Sequence, residues 1–259
     1  MKKLLTVSLL GAALAASGAQ ARDYDSIRIG VDVPYEPMEY KLPDGTLTGF
    51  DIELGNALCQ QAEIKCQWIE QSWDGIIPGL MSRKFDAIMS SMTINDERRK
   101  QLLFSEPYLT PPSAWFAPGN AASGTPDKQS LKGKSIGVQR GTLQDNYVTD
   151  LYGDVAEIKR YGTADDLVVD MDAGRLDIAF LDYPIGKTTM LDSDAKDYKM
   201  VGEPITEPKQ YFGEGFGIAF RQRDEELAEK FNTALETLKD NGTYQQLHDK
   251  YFSVDDTSK

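Results

Sequence analysis

A short apolar strand containing glycine, followed by a polar loop, occurs twice in this chain: Ile29-Gly30-Val31 before DVPYEP, and Ile136-Gly137-Val138 before QRGTLQ. A second pair follows in the same order, RKFDAIMSSM and GRLDIAFLDY. Around the first pair, FDIELGNALCQQA sets Phe50, Leu54, Ala57 and Leu58 at helical spacing and CQWIEQ alternates like a half-buried strand. SWDGIIPGLMSRK reads as a second helix and FDAIMSS as a second strand. Strands alternating with helices predict an α/β fold with a largely parallel sheet, and the repeated order predicts two such lobes. No fixed repeat period accompanies the echoes, so they constrain architecture rather than origin.

SEPYLTPPSAWF (105–116) and EPKQYFGEGFGIAF (207–220) have the Pro, Gly and aromatic content of extended crossings between lobes. From Asp224 the chain carries Leu227, Phe231, Ala234 and Leu238 at helical spacing, with Asn241-Gly242 as a stop and a last helix through Tyr251. This tail is expected to return onto the first lobe. Two crossings make a hinge, and a cleft then lies at the strand C-termini, where open α/β sheets place ligands. The expected organisation is a segment 1–21 outside the fold, a first lobe of 22–111 with 213–259, and a second lobe of 112–212.

MKKLLTVSLLGAALAASGAQA has the layout of a secretory signal peptide cut after Ala21: two lysines, an apolar run, then Ala19-Gln20-Ala21. Its apolar stretch, Leu4 to Ala16, is shorter than the roughly 18 to 20 residues a membrane-spanning helix needs. The expected destination is therefore the periplasm. A formal net charge of −13 repels nucleic acid and anionic lipid, so neither is an expected partner. Cys59 and Cys66, the two cysteines of an exported chain, read as a disulfide, with a pair of free thiols as the alternative. A single His248 with no cysteine or histidine partner at ligand spacing gives no basis for a metal, and no cofactor is expected.

SSMTINDERR (90–99) empties a strand into hydroxyls and arginines. Thr93 and Asp96, three apart, resemble a capping box, so a helix is expected to start there and to present N–H groups to a carboxylate. Arg98 in that first turn opposes the dipole unless an anion binds nearby, and a guanidinium–carboxylate pair supplies one. The other reading pairs Arg98 with Asp96 or Glu97 at the surface. In GVQRGTLQ, Gly141 and Thr142 suit close backbone approach to a ligand. Asp182, at the end of RLDIAFL, is placed to receive an ammonium group or to cap a helix. Asp32 and Tyr35 after the first strand, and Trp73 at the start of the second helix, can bring an acid and two aromatic faces to a ligand side chain.

Together IRIGVDVPYEP, LTGFDIELGNALC, the Cys59 and Cys66 spacing, WDGIIPGL, KFDAIMSSMTINDERR, FSEPY, GVQRGT, GRLDIAFLD and YFGEGFGIAF resemble the family 3 bacterial extracellular solute-binding proteins. The similarity is strongest to the periplasmic lysine/arginine/ornithine- and histidine-binding proteins. It implies a type II periplasmic binding fold that closes on a free amino acid and delivers it to the membrane permease of an ABC transporter, with a monomer expected. By the same resemblance Arg98 clamps the α-carboxylate with the N–H groups of Thr93 and Leu143, and Ser91, Thr93 and Asp182 take the α-ammonium. Tyr35 and Trp73 sandwich the side chain, and Asp32 meets its terminal cation. Ser90, Thr142 and Gln144 complete the implied ligand set. Gln139 stands where relatives carry an apolar residue, Leu143 where they often carry a hydroxyl, and Arg140 would oppose a cationic ligand if it pointed inward. Two other activities fit such a chain: a cyclohexadienyl dehydratase-like enzyme, with Glu36 and Asp182 as candidate acids, and a soluble ligand sensor.

Overall fold

The computed structural model describes residues 24–193 and 197–252; the signal segment expected over 1–21 lies outside them. The first part of the chain forms β1 (Ser26–Val31), β2 (Tyr40–Lys41), β3 (Leu47–Thr48), α1 (Phe50–Gln61), β4 (Lys65–Glu70), α2 (Trp73–Met81), β5 (Ala87–Ile88), α3 (Asp96–Arg99) and β6 (Leu102–Phe104). The second part forms β7 (Ser113–Pro118), β8 (Ser135–Gln139), α4 (Leu143–Tyr152), β9 (Glu157–Tyr161), α5 (Ala164–Asp172), β10 (Ile178–Asp182), α6 (Tyr183–Gly186), a π-helical turn over Lys187–Leu191, and β11 (Tyr198–Ile205). The chain closes with α7 (Lys209–Phe212), β12 (Ala219–Arg221), α8 (Glu225–Asp240) and α9 (Thr243–Tyr251).

These strands build two five-stranded sheets, ordered β4-β1-β5-β12-β6 and β11-β7-β10-β8-β9. In the first, β1 runs parallel to β4 and β5, and β12 runs antiparallel between β5 and β6. In the second, β8 runs parallel to β9 and β10, while β7 runs antiparallel between β10 and β11. The parallel character expected from the sequence thus holds for three strands of each sheet. The antiparallel partner comes from a crossing segment, β7 from the first and β12 from the second. β10, an interior strand between β7 and β8, is buried along its whole length, IAFLD, as a strand covered on both faces must be. Edge strand β4 exposes Lys65, Gln67 and Glu70 and half-buries Cys66, Trp68 and Ile69, so the alternation read in CQWIEQ holds over the first four residues of β4.

The two crossings lie side by side. Phe216 N–H donates to Leu109 O at 2.7 Å, Tyr108 N–H donates to Phe216 O at 2.9 Å, and Ile94 N–H donates to Gly215 O at 2.8 Å. This paired ribbon is the hinge. The tail returns onto the first lobe as expected: Phe252 meets fully buried Phe50 with ring centroids 4.9 Å apart, and Tyr251 Oη donates to Glu53 Oε1 at 2.6 Å.

Cys59 of α1 and Cys66 of β4 form a disulfide, with Cα atoms 6.1 Å apart and a sequence separation of 7. Closing so short a loop removes about 2.5 kcal/mol of unfolded-chain entropy. Chemical unfolding of a Cys59→Ser, Cys66→Ser double variant is expected to show a loss of about that size; an unchanged midpoint would show that the α1–β4 junction is held by packing alone.

Candidate ligand-binding site

The C-terminal ends of β1, β5, β8 and β10 converge between the two sheets. One cavity there is lined by Asp32, Tyr35, Trp73, Ser90, Ser91, Thr93 and Arg98 from one side and by Thr142, Leu143, Gln144 and Asp182 from the other. Glu39 and Gln139 complete the lining.

On the first lobe, β5 is only two residues long, because the chain leaves the ladder after Ile88 to turn Ser90 and Ser91 into the cavity floor. Ser91 has φ 51°, the left-handed region that costs a residue with a Cβ, and its N–H donates to Asp51 Oδ2 at 2.7 Å. The Ser90 hydroxyl accepts the Asp32 N–H at 2.9 Å and donates to Glu39 Oε1 at 2.6 Å.

The helix expected from Thr93 starts later. Asn95 is the N-cap, its side chain accepting Arg98 N–H at 2.9 Å, and α3 is one turn, Asp96–Arg99. Asn95 is as good a cap as threonine, and Thr93 is held extended by its bridge to Phe216 in the hinge. So short a helix has little dipole, and the positive potential here belongs to the Arg98 guanidinium. That guanidinium reaches inward, donating from Nη1 to Thr93 O at 2.8 Å and lying 5.4 Å over the Trp73 ring. The surface pairing with Asp96 or Glu97 does not occur; Glu97 pairs with Lys100.

On the second lobe, Gly141 takes φ 73° in the turn after β8, and Thr142 caps α4, its hydroxyl accepting Asp145 N–H at 3.1 Å. The first-turn N–H groups of Leu143 and Gln144 have no acceptor within the helix. Asp182 occupies the N-cap position of α6 but makes no side-chain cap bond there. Its carboxylate faces the cavity instead, accepting the Tyr35 hydroxyl at 2.8 Å and the Gln144 amide at 2.7 Å.

Several bonds join the lobes directly. Besides Tyr35 to Asp182, the Gln139 amide donates to Asp32 Oδ2 at 2.8 Å, Trp73 Nε1 donates to Gly141 O at 3.1 Å, and Arg140 pairs with Asp74 at 3.3 Å. Arg140 therefore points outward to the rim and opposes nothing in the cavity. Glu36 is exposed and is not part of the lining. Glu39 and Gln139 are lining residues that no sequence motif marks as site residues, and Asp51 supports the lining from behind Ser91. Glu39 follows the loop after β1 and Asp51 lies in the first turn of α1, so neither stands at a strand end where polar residues mark the cleft.

Burial pushes both Asp32 and Asp182 up to about 6, against the lowering effect of their hydrogen bonds. Burial likewise lowers Arg98 to about 10, and Asp182 nearby opposes that shift. The Tyr35 phenol is driven well above its ordinary range by burial and by the adjacent Asp182. Two effects of opposite sign follow. A folded-state carboxyl pKa above the unfolded value contributes stability that is fully present below the unfolded pKa, near 4, and is lost as pH rises through 6. The free protein should lose this contribution between about pH 4 and 6, whereas affinity for a cationic ligand should rise at least about tenfold between about pH 5 and 7 as Asp32 and Asp182 ionise. Thermal unfolding with and without ligand across this range checks both signs.

The family model for bacterial extracellular solute-binding proteins, family 3, matches residues 27–254. An L-arginine-binding protein of Pseudomonas aeruginosa is 43% identical over 257 residues, covering 98% of each chain. The lysine/arginine/ornithine-binding periplasmic protein of Escherichia coli K12 is 36% identical over 256 residues, covering 97% of this chain and 96% of the relative. Among solved structures, an ancestral arginine-binding protein bound to arginine superposes with a TM-score of 0.81 at 32% identity, covering 88% of this chain and 99% of that one. With the paired-crossing hinge and a cleft between two α/β lobes, these similarities establish the fold as the type II periplasmic binding fold, and the chain belongs to the family 3 bacterial extracellular solute-binding proteins.

Proposed function

We propose that this protein is a periplasmic receptor for a free basic L-amino acid, arginine, ornithine, lysine or histidine, that captures its ligand by lobe closure and presents it to the permease of an ABC importer. The observation that carries the reading is the charge pattern of one small cavity: the Arg98 guanidinium on one side, the Asp182 carboxylate across from it, and a second carboxylate, Asp32, at the far end of the Gln139 bond. A zwitterion with a cationic side chain has that pattern in complement. Arg98 with the Leu143 and Thr93 N–H groups takes the α-carboxylate, Asp182 with Ser91 and Thr93 the α-ammonium, and Asp32 the terminal cation, with Tyr35 and Trp73 flanking the stem. Ser90, Thr142 and Gln144 hold these groups in place. The Tyr35 hydroxyl and the Gln139 amide bond the two acceptors that a ligand's cations require, so ligand replaces those donors, while the Trp73–Gly141 and Arg140–Asp74 contacts remain at the rim.

In this reading residues 1–21 direct export and are removed, and the lobes comprise 22–111 with 213–259, and 112–212. Among the described residues no helix is long and apolar enough to cross a membrane. The protein acts as a monomer and binds rather than converts its ligand, since each cavity carboxylate is already engaged by a donor it would exchange for a ligand cation. Thermal-shift measurement against the amino acids tests this. A ligand at 100 times its Kd adds about 2.7 kcal/mol of stability. Shifts confined to basic amino acids are expected; shifts with acidic or apolar ones only, or turnover of arogenate or prephenate, would refute the reading.

A further inference from the structure

Two carboxyl groups at the cavity floor are not used by the ligand contacts above, Glu39 in the lining and Asp51 behind Ser91. Glu39 and Asp51 are 1% and 0% exposed. Their segments are tied by the Asp51 N–H to Met38 O bond of 2.9 Å, and the charge of Asp51 acts on Glu39. Glu39 Oε1 accepts the Ser90 hydroxyl at 2.6 Å. Asp51 Oδ2 accepts the Ser91 N–H at 2.7 Å, the Tyr108 hydroxyl at 2.8 Å and the Ser91 hydroxyl at 3.4 Å. The remaining oxygens, Glu39 Oε2 and Asp51 Oδ1, are the buried carboxyl oxygens with no hydrogen-bond partner among the described residues.

Two ionised carboxylates cannot sit together at this depth, because each is desolvated and each repels the other. A single O–H placed between Glu39 Oε2 and Asp51 Oδ1 satisfies both orphaned oxygens. Asp51 collects three donors and Glu39 one, so Asp51 is the anion and Glu39 the acid. Burial and the adjacent Asp51 hold Glu39 well above the usual carboxylate range, in the same direction. The titratable groups facing the pair are Tyr108 from the first crossing and Tyr35 and Asp32 from the loop after β1. All are acids, so none offsets the charge.

We propose that Glu39 and Asp51 share one proton at neutral pH, and that the resulting single anion is the positioning group for Ser90 and Ser91 on the floor of the ligand site. Asp51 holds Ser91 in its left-handed conformation, and Glu39 orients the Ser90 hydroxyl that receives the Asp32 N–H. Asp32, Ser90, Glu39, Asp51 and Ser91 thus form one network whose geometry depends on one proton. This deepens the proposed function and rests on it only for the binding readout.

Infrared spectra of the ligand-free protein at pH 7 should contain a protonated-carboxyl C=O band that shifts on 13C-glutamate labelling and disappears in Glu39→Gln. The glutamine amide can donate to Asp51 as the acid does, so Asp51→Asn, which removes the anion, should weaken arginine binding about tenfold more than Glu39→Gln. A raised carboxyl pKa contributes stability that is lost as pH rises through it, so the unfolding temperature of Glu39→Gln should gain on wild type as pH is raised from 6 to 9. A labelled wild-type protein without the band, or equal effects of the two substitutions on binding, overturns the proposal. The band and the pH-dependent stability are read without ligand. A protein that shows both and binds no basic amino acid would therefore refute the proposed function while leaving the shared proton intact.

Discussion

Arg98→Ala is expected to weaken amino-acid binding by about 30-fold to several thousand-fold, because truncating one partner of a buried charge pair costs about 2–5 kcal/mol. The guanidinium is the cation lining the cavity, and it is aimed inward by its bond to Thr93 O and its contact with the Trp73 ring. The structural cost should be small, since α3 is a single turn with no buried residues and Arg98's backbone bond to Asn95 survives the change. Arg98→Lys keeps the charge but loses the planar fork that matches a carboxylate, and should recover only part of the affinity. Calorimetric titration of both variants, with thermal unfolding as the control for folding, checks this ordering. Undiminished affinity in Arg98→Ala would remove the guanidinium from the site.

Asp32→Asn should have the second largest effect and a selective one. Asparagine is isosteric, and its carbonyl oxygen can still accept the Gln139 amide, so the cross-lobe bond persists while the charge is lost. Arginine and lysine, which need that charge, should bind roughly 10 to 100 times more weakly, whereas a neutral amino acid of similar length should lose little. The acid limb of the affinity profile should become shallower, because Asp32 and Asp182 are both raised to about 6 by burial and only Asp182 remains to ionise in the variant. If the variant binds the basic amino acids as tightly as wild type, Asp32 does not meet the ligand's side chain.

Legibility in the sequence tracked how local each feature's cause was. The strand–helix alternation, the 26–31 strand, α1, α2 and the returning tail all follow from periodicity within a window of a few turns, and each is present. The cavity lining was also accessible, because ligand sites of α/β sheets fall at strand ends and the chain punctuates those ends with polar residues: Asp32, Ser90 and Ser91, Gly141 and Thr142, Asp182. What the residue pattern could not specify was pairing across the hinge. The start of α3 moved from Thr93 to Asn95 because Phe216, more than a hundred residues away, holds Thr93 extended. Gln139 became a partner of Asp32 rather than a substitution of unknown effect, and Arg140 turned to Asp74 at the rim, through closure of one lobe on the other. The Glu39–Asp51 pair has the same origin: two acids in separate segments become neighbours only when α1 packs beneath the first strand's loop.

The central physical claim is that one guanidinium and two carboxylates in a single small cavity recognise the three charges of a basic amino acid. Calorimetric titration of the purified protein with L-arginine, followed by lysine, ornithine, histidine and a neutral control, tests it most directly. Saturable one-to-one binding of at least one basic amino acid, strongly weakened in Arg98→Ala and selectively weakened in Asp32→Asn, is the predicted result. A folded protein that takes up none of the four, or binds the neutral control as tightly as the basic ones, would contradict it.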